Sequence, residues 1–190
     1  MTQFLQREPG ASRGGFSYPH YTMDDYTNHF GQKNIDGLFS FALIRNPWSR
    51  LYSWYKFNQR RHREMPQRYR DQPSFQDKQF ENDFNEWLLH CSFIPNEERK
   101  YNPNPIPAQK RSQFDWLNCN IDFIGKVEEL DKAIFHLYNT NIISTNRLPG
   151  KVNFNPQKED YRKVYSKESI EFVEKHFSKD IEYGEYSFSE

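Results

Sequence analysis

One segment restricts the possible folds more than any other: Leu38-Phe39-Ser40-Phe41-Ala42-Leu43-Ile44, followed at once by Arg45-Asn46-Pro47. Apart from Ser40 the run is apolar on both faces. A strand with one wet face alternates, whereas a run apolar on both faces fits an interior strand of a parallel sheet covered by helices. Asn46 is a good N-cap, and Pro47 suits the first helical position, where no N–H is needed. Trp48, Leu51, Tyr52 and Tyr55 then fall at i, i+3, i+4 and i+7, which makes one helical stripe. The unit reads strand, tight turn, helix.

The rest of the chain repeats this alternation. Residues 1–19 read as an N-terminal arm and 20–190 as a single domain. Thr22 starts a short helix carrying Tyr26 and Phe30, and residues 31–37 read as a turn. Residues 56–79 are very polar, and helical spacing resumes through Phe84, Trp87 and Leu88. Residues 95–111 form a Pro-rich loop. Residues 114–118 read as a short helix or an edge strand. Ile121-Asp122-Phe123-Ile124-Gly125-Lys126-Val127 is a second strand candidate, followed by a helix over residues 130–138. Residues 144–160 read as loop. Ser166 caps a last helix through Ile170, Val173 and Phe177, and residues 180–188 read as an aromatic tail. The expected class is α/β, a parallel sheet flanked by helices.

Charge excludes one large class of partner. The chain carries 26 basic and 26 acidic residues, so nothing marks it as a general nucleic-acid binder. Aromatic residues make up 17 % of the chain and aliphatics are sparse, so aromatic packing should carry much of the core. Cys91 and Cys119 form no metal-ligand spacing, and no metal is expected. No apolar run approaches the about 18 residues of a membrane span, and the N-terminus lacks a signal-peptide core. As written, the chain is expected to be cytoplasmic, with an anchor upstream left open and membrane association not indicated.

Chemistry is best supported at Arg45. It lies at the carboxyl end of the buried strand, where ligands of open α/β sheets collect. The helix that follows would aim its free N–H groups and positive dipole end at the same place, which favours an anion. The Arg45 guanidinium offers a planar donor fork suited to phosphate. Ser53, seven residues past Asn46, falls on the same helical face and could add a hydroxyl. The competing reading pairs Arg45 with a carboxylate and leaves Ser53 on the surface; spacing alone does not decide between them or name the anion.

The segment Phe41-Ala-Leu-Ile-Arg-Asn-Pro-Trp-Ser-Arg-Leu-Tyr-Ser-Trp-Tyr55 resembles the 3′-phosphate motif of sulfotransferases that use 3′-phosphoadenosine-5′-phosphosulfate (PAPS). It is most similar to the carbohydrate-type family, which includes heparan and chondroitin sulfotransferases and small bacterial relatives. Arg45, Pro47, Arg50, Ser53 and Tyr55 fit that pattern. Asp122-Phe-Ile-Gly-Lys-Val-Glu-Glu-Leu130 resembles a second block of the same family, and residues 161–188 resemble its closing helix and tail.

The resemblance implies a P-loop-type sulfotransferase fold and sulfuryl transfer from PAPS to a hydroxyl of a glycan or other carbohydrate-type acceptor, without a metal. Arg45 and Ser53 would hold the 3′-phosphate, Lys158 and Arg162 would lie near the nucleotide, and Arg50 would be structural or a charge behind the site. His20 stands where some relatives carry a catalytic base. The family's N-terminal strand and Lys- and Gly-containing loop, which cradle the 5′-phosphosulfate, have no counterpart upstream of Leu38. Arg13-Gly14-Gly15-Phe16 is glycine-rich but has no strand before it. The expected fold therefore lacks its first strand and loop. The second reading is a truncated, non-catalytic remnant that binds a nucleotide or glycan, and an open sheet edge would invite self-association. The basic run Arg60-Arg61-His62-Arg63 reads either as a steering patch for an acidic acceptor or as a solvated helix face.

Overall fold

The computed structural model of the chain describes residues 27–28, 30–64, 83–90, 112–115, 117, 121–148 and 159–189. It forms two compact units, Met1–Ile44 with Gln113–Lys158, and Arg45–Ser112 with Glu159–Glu190. The expected arm at 1–19, the helix start at Thr22 and the Pro-rich loop at 95–111 lie outside the described residues.

The first unit holds the sheet. Strand β1 (Phe41–Ile44) pairs in parallel with β2 (Phe123–Lys126), with Leu43 opposite Gly125. Among the described residues the sheet has these two strands. The class is thus mixed helix with a small parallel sheet, as the apolar run over 38–44 implied. The strand is shorter than the run, because Leu38 and Phe39 are exposed at 65 % and 39 %. Ser40 is diverted into a side-chain clamp: its N–H and its hydroxyl both donate to Asp122 Oδ2 at 2.7 Å. These bonds tie the two strands together at their amino ends and fix the register. They also hold the Asp122 carboxyl below its ordinary range.

Between Gly31 and Gly37, the expected turn contains a short helix α1 (Gln32–Ile35), flanked by those two residues at φ 81° and 82°. After β2 a 3₁₀ turn (Val127–Glu129) leads into α4 (Leu130–Asn139). Ile134 and Leu137 of α4 and Ile143 beyond it form the core of this unit, with Phe41, Phe123 and Leu130 packed against them. Ala133 faces Gly125 so closely that a methyl on Gly125 would stand 2.8 Å from its Cβ.

The second unit is helical and aromatic. Helix α2 (Pro47–Glu64) runs past the predicted stripe, because the polar residues beyond Tyr55 are mostly good helix formers. Trp48, Leu51, Tyr52 and Tyr55, the predicted stripe, are all buried. Helix α3 (Phe84–His90) starts under an Asp83 cap, whose Oδ1 accepts the Asn85 N–H at 2.7 Å. Phe84 is the centre of the packing. Its ring lies 4.7 Å from Tyr165, 5.2 Å from Tyr52, 5.4 Å from Tyr55 and 5.8 Å from Trp87. The contacts with Tyr52, Tyr55 and Tyr165 are edge-on, a geometry that adds to area burial.

Helix α5 (Lys167–His176) is capped by Ser166, as the sequence implied: Ser166 Oγ accepts the Ser169 N–H at 3.1 Å. Asn85 joins α3 to this entry by donating to the Val164 carbonyl at 2.9 Å and accepting the Ser166 N–H at 2.9 Å. The expected aromatic tail contains one more helix, α6 (Ser178–Gly184), and residues 188–189 lie in a turn beyond it. The Arg50 guanidinium lies over the Phe177 ring at 5.6 Å.

Candidate functional site: the amino end of helix α2

Arg45 and Asn46 follow directly on β1, and Asn46 is 4 % exposed. The Asn46 side chain works at both ends. Its Oδ1 accepts the Ser49 N–H at 3.1 Å, the N-cap the sequence predicted. Its Nδ2 donates to the Ser187 carbonyl at 3.1 Å. The Asn46 backbone carbonyl accepts the Arg50 N–H at 2.9 Å and starts the helical ladder.

This geometry narrows the anion site that sequence alone suggested. Pro47 has no N–H, the Ser49 N–H is taken by the cap, and the Arg50 N–H is in the ladder. Among the first-turn donors, only Trp48 N–H is outside those bonds. The helix end remains favourable to an anion, because no acidic residue occupies its first turn. Most of the anion's hydrogen bonding would have to come from side chains.

Arg45 lies two residues before the first residue of α2. Its Nε and Nη2 donate to Ser49 Oγ at 3.1 and 2.7 Å. Ser49 accepts both, so one edge of the guanidinium fork is anchored to the helix and the hydroxyl proton of Ser49 points elsewhere. A guanidinium is a planar donor fork, the shape that suits a bidentate oxyanion. Ser53 stands one turn beyond Ser49 on the same side of α2 and is exposed. Arg45, Ser49 and Ser53 thus follow one another along a single side of the helix end. Ser49 was not anticipated; its spacing of four residues from Arg45 was the available signal.

One turn further, Tyr52 donates its hydroxyl to Glu159 Oε2, and Lys56 Nζ lies 3.2 Å from the same oxygen. Burial first, then the Glu159 hydrogen bond and charge, push the Tyr52 phenol well above its ordinary value. The Tyr52 hydrogen bond and then Lys56 hold the Glu159 carboxyl down. Glu159 follows Lys158 in the chain. No sequence signal could have revealed this contact, because its partners lie 107 residues apart.

Arg162, expected near the nucleotide, is engaged on two sides. Its Nε donates to Asp160 Oδ1 at 2.8 Å and its Nη1 to the Ser189 carbonyl at 2.9 Å, and its guanidinium lies over the Tyr161 ring at 5.7 Å. Asp160 holds the guanidinium more firmly protonated. His20 and Lys158 lie outside the described residues. Among the described residues, no group of three His, Cys, Asp or Glu side chains could hold a metal ion. None of the described helices is long and apolar enough to cross a membrane.

Searches of curated proteins and of solved structures gave no match. The model of the Sulfotransferase family, in its family-2 form, matches residues 9–187. That span contains the strand, the Arg45–Ser53 helix start, the second strand and the closing helices. On this match the chain belongs to the sulfotransferase family.

Proposed function

We propose that the protein transfers a sulfuryl group from PAPS to a hydroxyl of a carbohydrate-type acceptor, and that Arg45 and Ser53 bind the 3′-phosphate of the donor nucleotide. The observation that carries this reading is Arg45, anchored by Ser49 at a helix end without acidic residues, in a chain of the sulfotransferase family. The residues fit the group. A phosphate dianion meets a planar cation, a hydroxyl from the exposed Ser53 and the positive end of α2. Lys158 and Arg162 would add positive charge near the nucleotide. The proposed fold is the P-loop-type α/β fold of the family, with the sheet seen here as part of its parallel core.

In the reaction the acceptor oxygen attacks sulfur. The bond from sulfur to the bridging phosphate oxygen breaks, and 3′-phosphoadenosine 5′-phosphate leaves. The acceptor's proton passes to a base, for which His20 is the candidate. Arg45 stays at the far end of the nucleotide, where it orients the donor for in-line attack without touching the reacting atoms.

The test is incubation of the purified chain with sulfur-labelled PAPS and a panel of neutral and acidic oligosaccharides, followed by analysis of the products. Label on an acceptor, absent with His20→Ala, supports the reading. Nucleotide binding without transfer to any acceptor favours the remnant reading, in which the chain binds a nucleotide or glycan and transfers nothing.

A further inference from the structure

The C-terminal segment after α6 makes contacts that a loose tail would not. Phe188 places its ring 5.8 Å from Trp48, 5.8 Å from Tyr161 and 5.5 Å from Tyr165. Its carbonyl accepts the Tyr161 hydroxyl at 3.3 Å, and the next carbonyl, of Ser189, accepts from Arg162. The Ser187 carbonyl, just before, is the one that accepts from Asn46 Nδ2. Ring contacts and three hydrogen bonds thus hold these three consecutive residues, Ser187 and Phe188 against Asn46 and Trp48 at the start of α2 and Phe188 and Ser189 also against Tyr161 and Arg162.

The bond to Asn46 matters because of what Asn46 does next. A capping amide can turn over, exchanging its oxygen for its nitrogen. With Nδ2 fixed on the Ser187 carbonyl, Oδ1 must face the Ser49 N–H. That cap fixes the first turn and so the place of Ser49, whose hydroxyl holds two N–H groups of Arg45. The connected atoms run Ser187 O, Asn46 Nδ2, Asn46 Oδ1, Ser49 N, Ser49 Oγ, Arg45.

We infer that the C-terminal segment Ser187–Ser189 is a positioning element for the anion site, acting through Asn46 and Ser49 to hold the Arg45 guanidinium ready for a terminal phosphate. This rests on the proposed role of Arg45. A long cation that is free to rotate must be ordered on binding, at a cost that grows with its rotamer freedom. Anchoring it beforehand moves that cost from binding to folding. The segment contributes no atom to the phosphate; Asn46, Ser49 and Phe188 are positioning residues.

The experiment compares the affinities of the full chain for 3′-phosphoadenosine 5′-phosphate and for adenosine 5′-phosphate by calorimetric titration. Their ratio isolates the 3′-phosphate. Asn46→Ser keeps a capping oxygen and loses the amide that reaches Ser187. Phe188→Ala loosens the segment without touching the cap. Ser49→Ala removes the anchor of Arg45, and Ser49→Thr restores a hydroxyl. The ratio should fall about three- to tenfold in the first three variants and return toward that of the parent in Ser49→Thr. Affinity for adenosine 5′-phosphate should change by less than about twofold in all four, because a positioning role acts only on the 3′-phosphate. Asn46→Ser and Phe188→Ala with the parent's ratio would overturn the segment's role while leaving that of Arg45 standing. Equal weakening of both nucleotides would overturn it too, as the mark of general loosening. A parent that does not prefer the 3′-phosphorylated nucleotide removes the Arg45 reading and the segment's role together. Should Asn46→Ser fail to fold, Phe188→Ala and the Ser49 pair carry the same comparison.

Discussion

Replacing Gly125 by Ala should destabilise the protein, although the same change in an ordinary strand stabilises it. A strand glycine loses more backbone freedom on folding than alanine does, which alone would favour Ala by about 0.5–1 kcal/mol. At Gly125 the added methyl would stand 2.8 Å from Ala133 Cβ, 2.9 Å from Leu43 Cδ2 and 3.3 Å from the Phe123 ring. Carbon atoms in good contact sit about 3.5–4.0 Å apart. The Leu43 methyl can rotate away, but the Ala133 Cβ is fixed to the backbone of α4, so the helix would have to move off the sheet. Overpacking of this kind costs about 1–3 kcal/mol. The net expectation is a loss of about 1–2 kcal/mol, seen as a lower urea midpoint with an unchanged slope in circular dichroism. Ala133→Gly makes room for the methyl but costs about 1 kcal/mol of helix propensity by itself. The double variant should therefore be more stable than the sum of the two losses implies, with a coupling of about 1 kcal/mol. A Gly125→Ala protein as stable as the parent, or strictly additive losses, would refute the close approach of β2 and α4.

Two further predictions follow from the packing and the charges. Phe84→Ala removes the ring around which Tyr52, Tyr55, Trp87 and Tyr165 are arranged, so it should cost about 3–5 kcal/mol by urea denaturation; a loss below about 1 kcal/mol would contradict that arrangement. Asp122 has a depressed carboxyl pKa in the folded state, because Ser40 donates to it. Its contribution is fully present above the ordinary value of 3.8 and is lost as the pH falls through the lower folded value. Acid unfolding curves should therefore steepen below about pH 4, and Asp122→Asn should flatten that limb; an unchanged limb would show that the clamp makes no contribution.

How much was legible in the sequence depended on whether a residue's partners were local. The N-cap at Asn46, the buried stripe from Trp48 to Tyr55 and the Ser166 cap all follow from neighbours within two turns, and the structure has each of them. Apolarity alone implies a strand over 38–44, but β1 begins at Phe41: Leu38 and Phe39 are exposed, and Ser40 is clamped to Asp122, 82 residues away. Helix α6 escaped notice because it is short and ends unusually. Its C-cap is Glu185 at φ 49°, whereas the glycine that would announce a helix end is Gly184, the last helical residue. At the candidate site, motif and spacing point to Arg45 and Ser53, which the structure puts along one side of the start of α2. Ser49 was within reach of the same reasoning. The links from Asn46 to Ser187 and from Tyr52 to Glu159 were not, because each spans more than a hundred residues and neither has a local pattern.

Binding of the donor's 3′-phosphate by Arg45 carries the proposed function. The direct measurement is calorimetric titration of the parent and of Arg45→Ala with 3′-phosphoadenosine 5′-phosphate, with folding of both checked by circular dichroism. The expected result is binding by the parent and a loss of at least about tenfold in the variant, in keeping with a charge-assisted bond of about 1.5–3 kcal/mol. Equal affinity in the two folded proteins, or no binding by the parent, would contradict it.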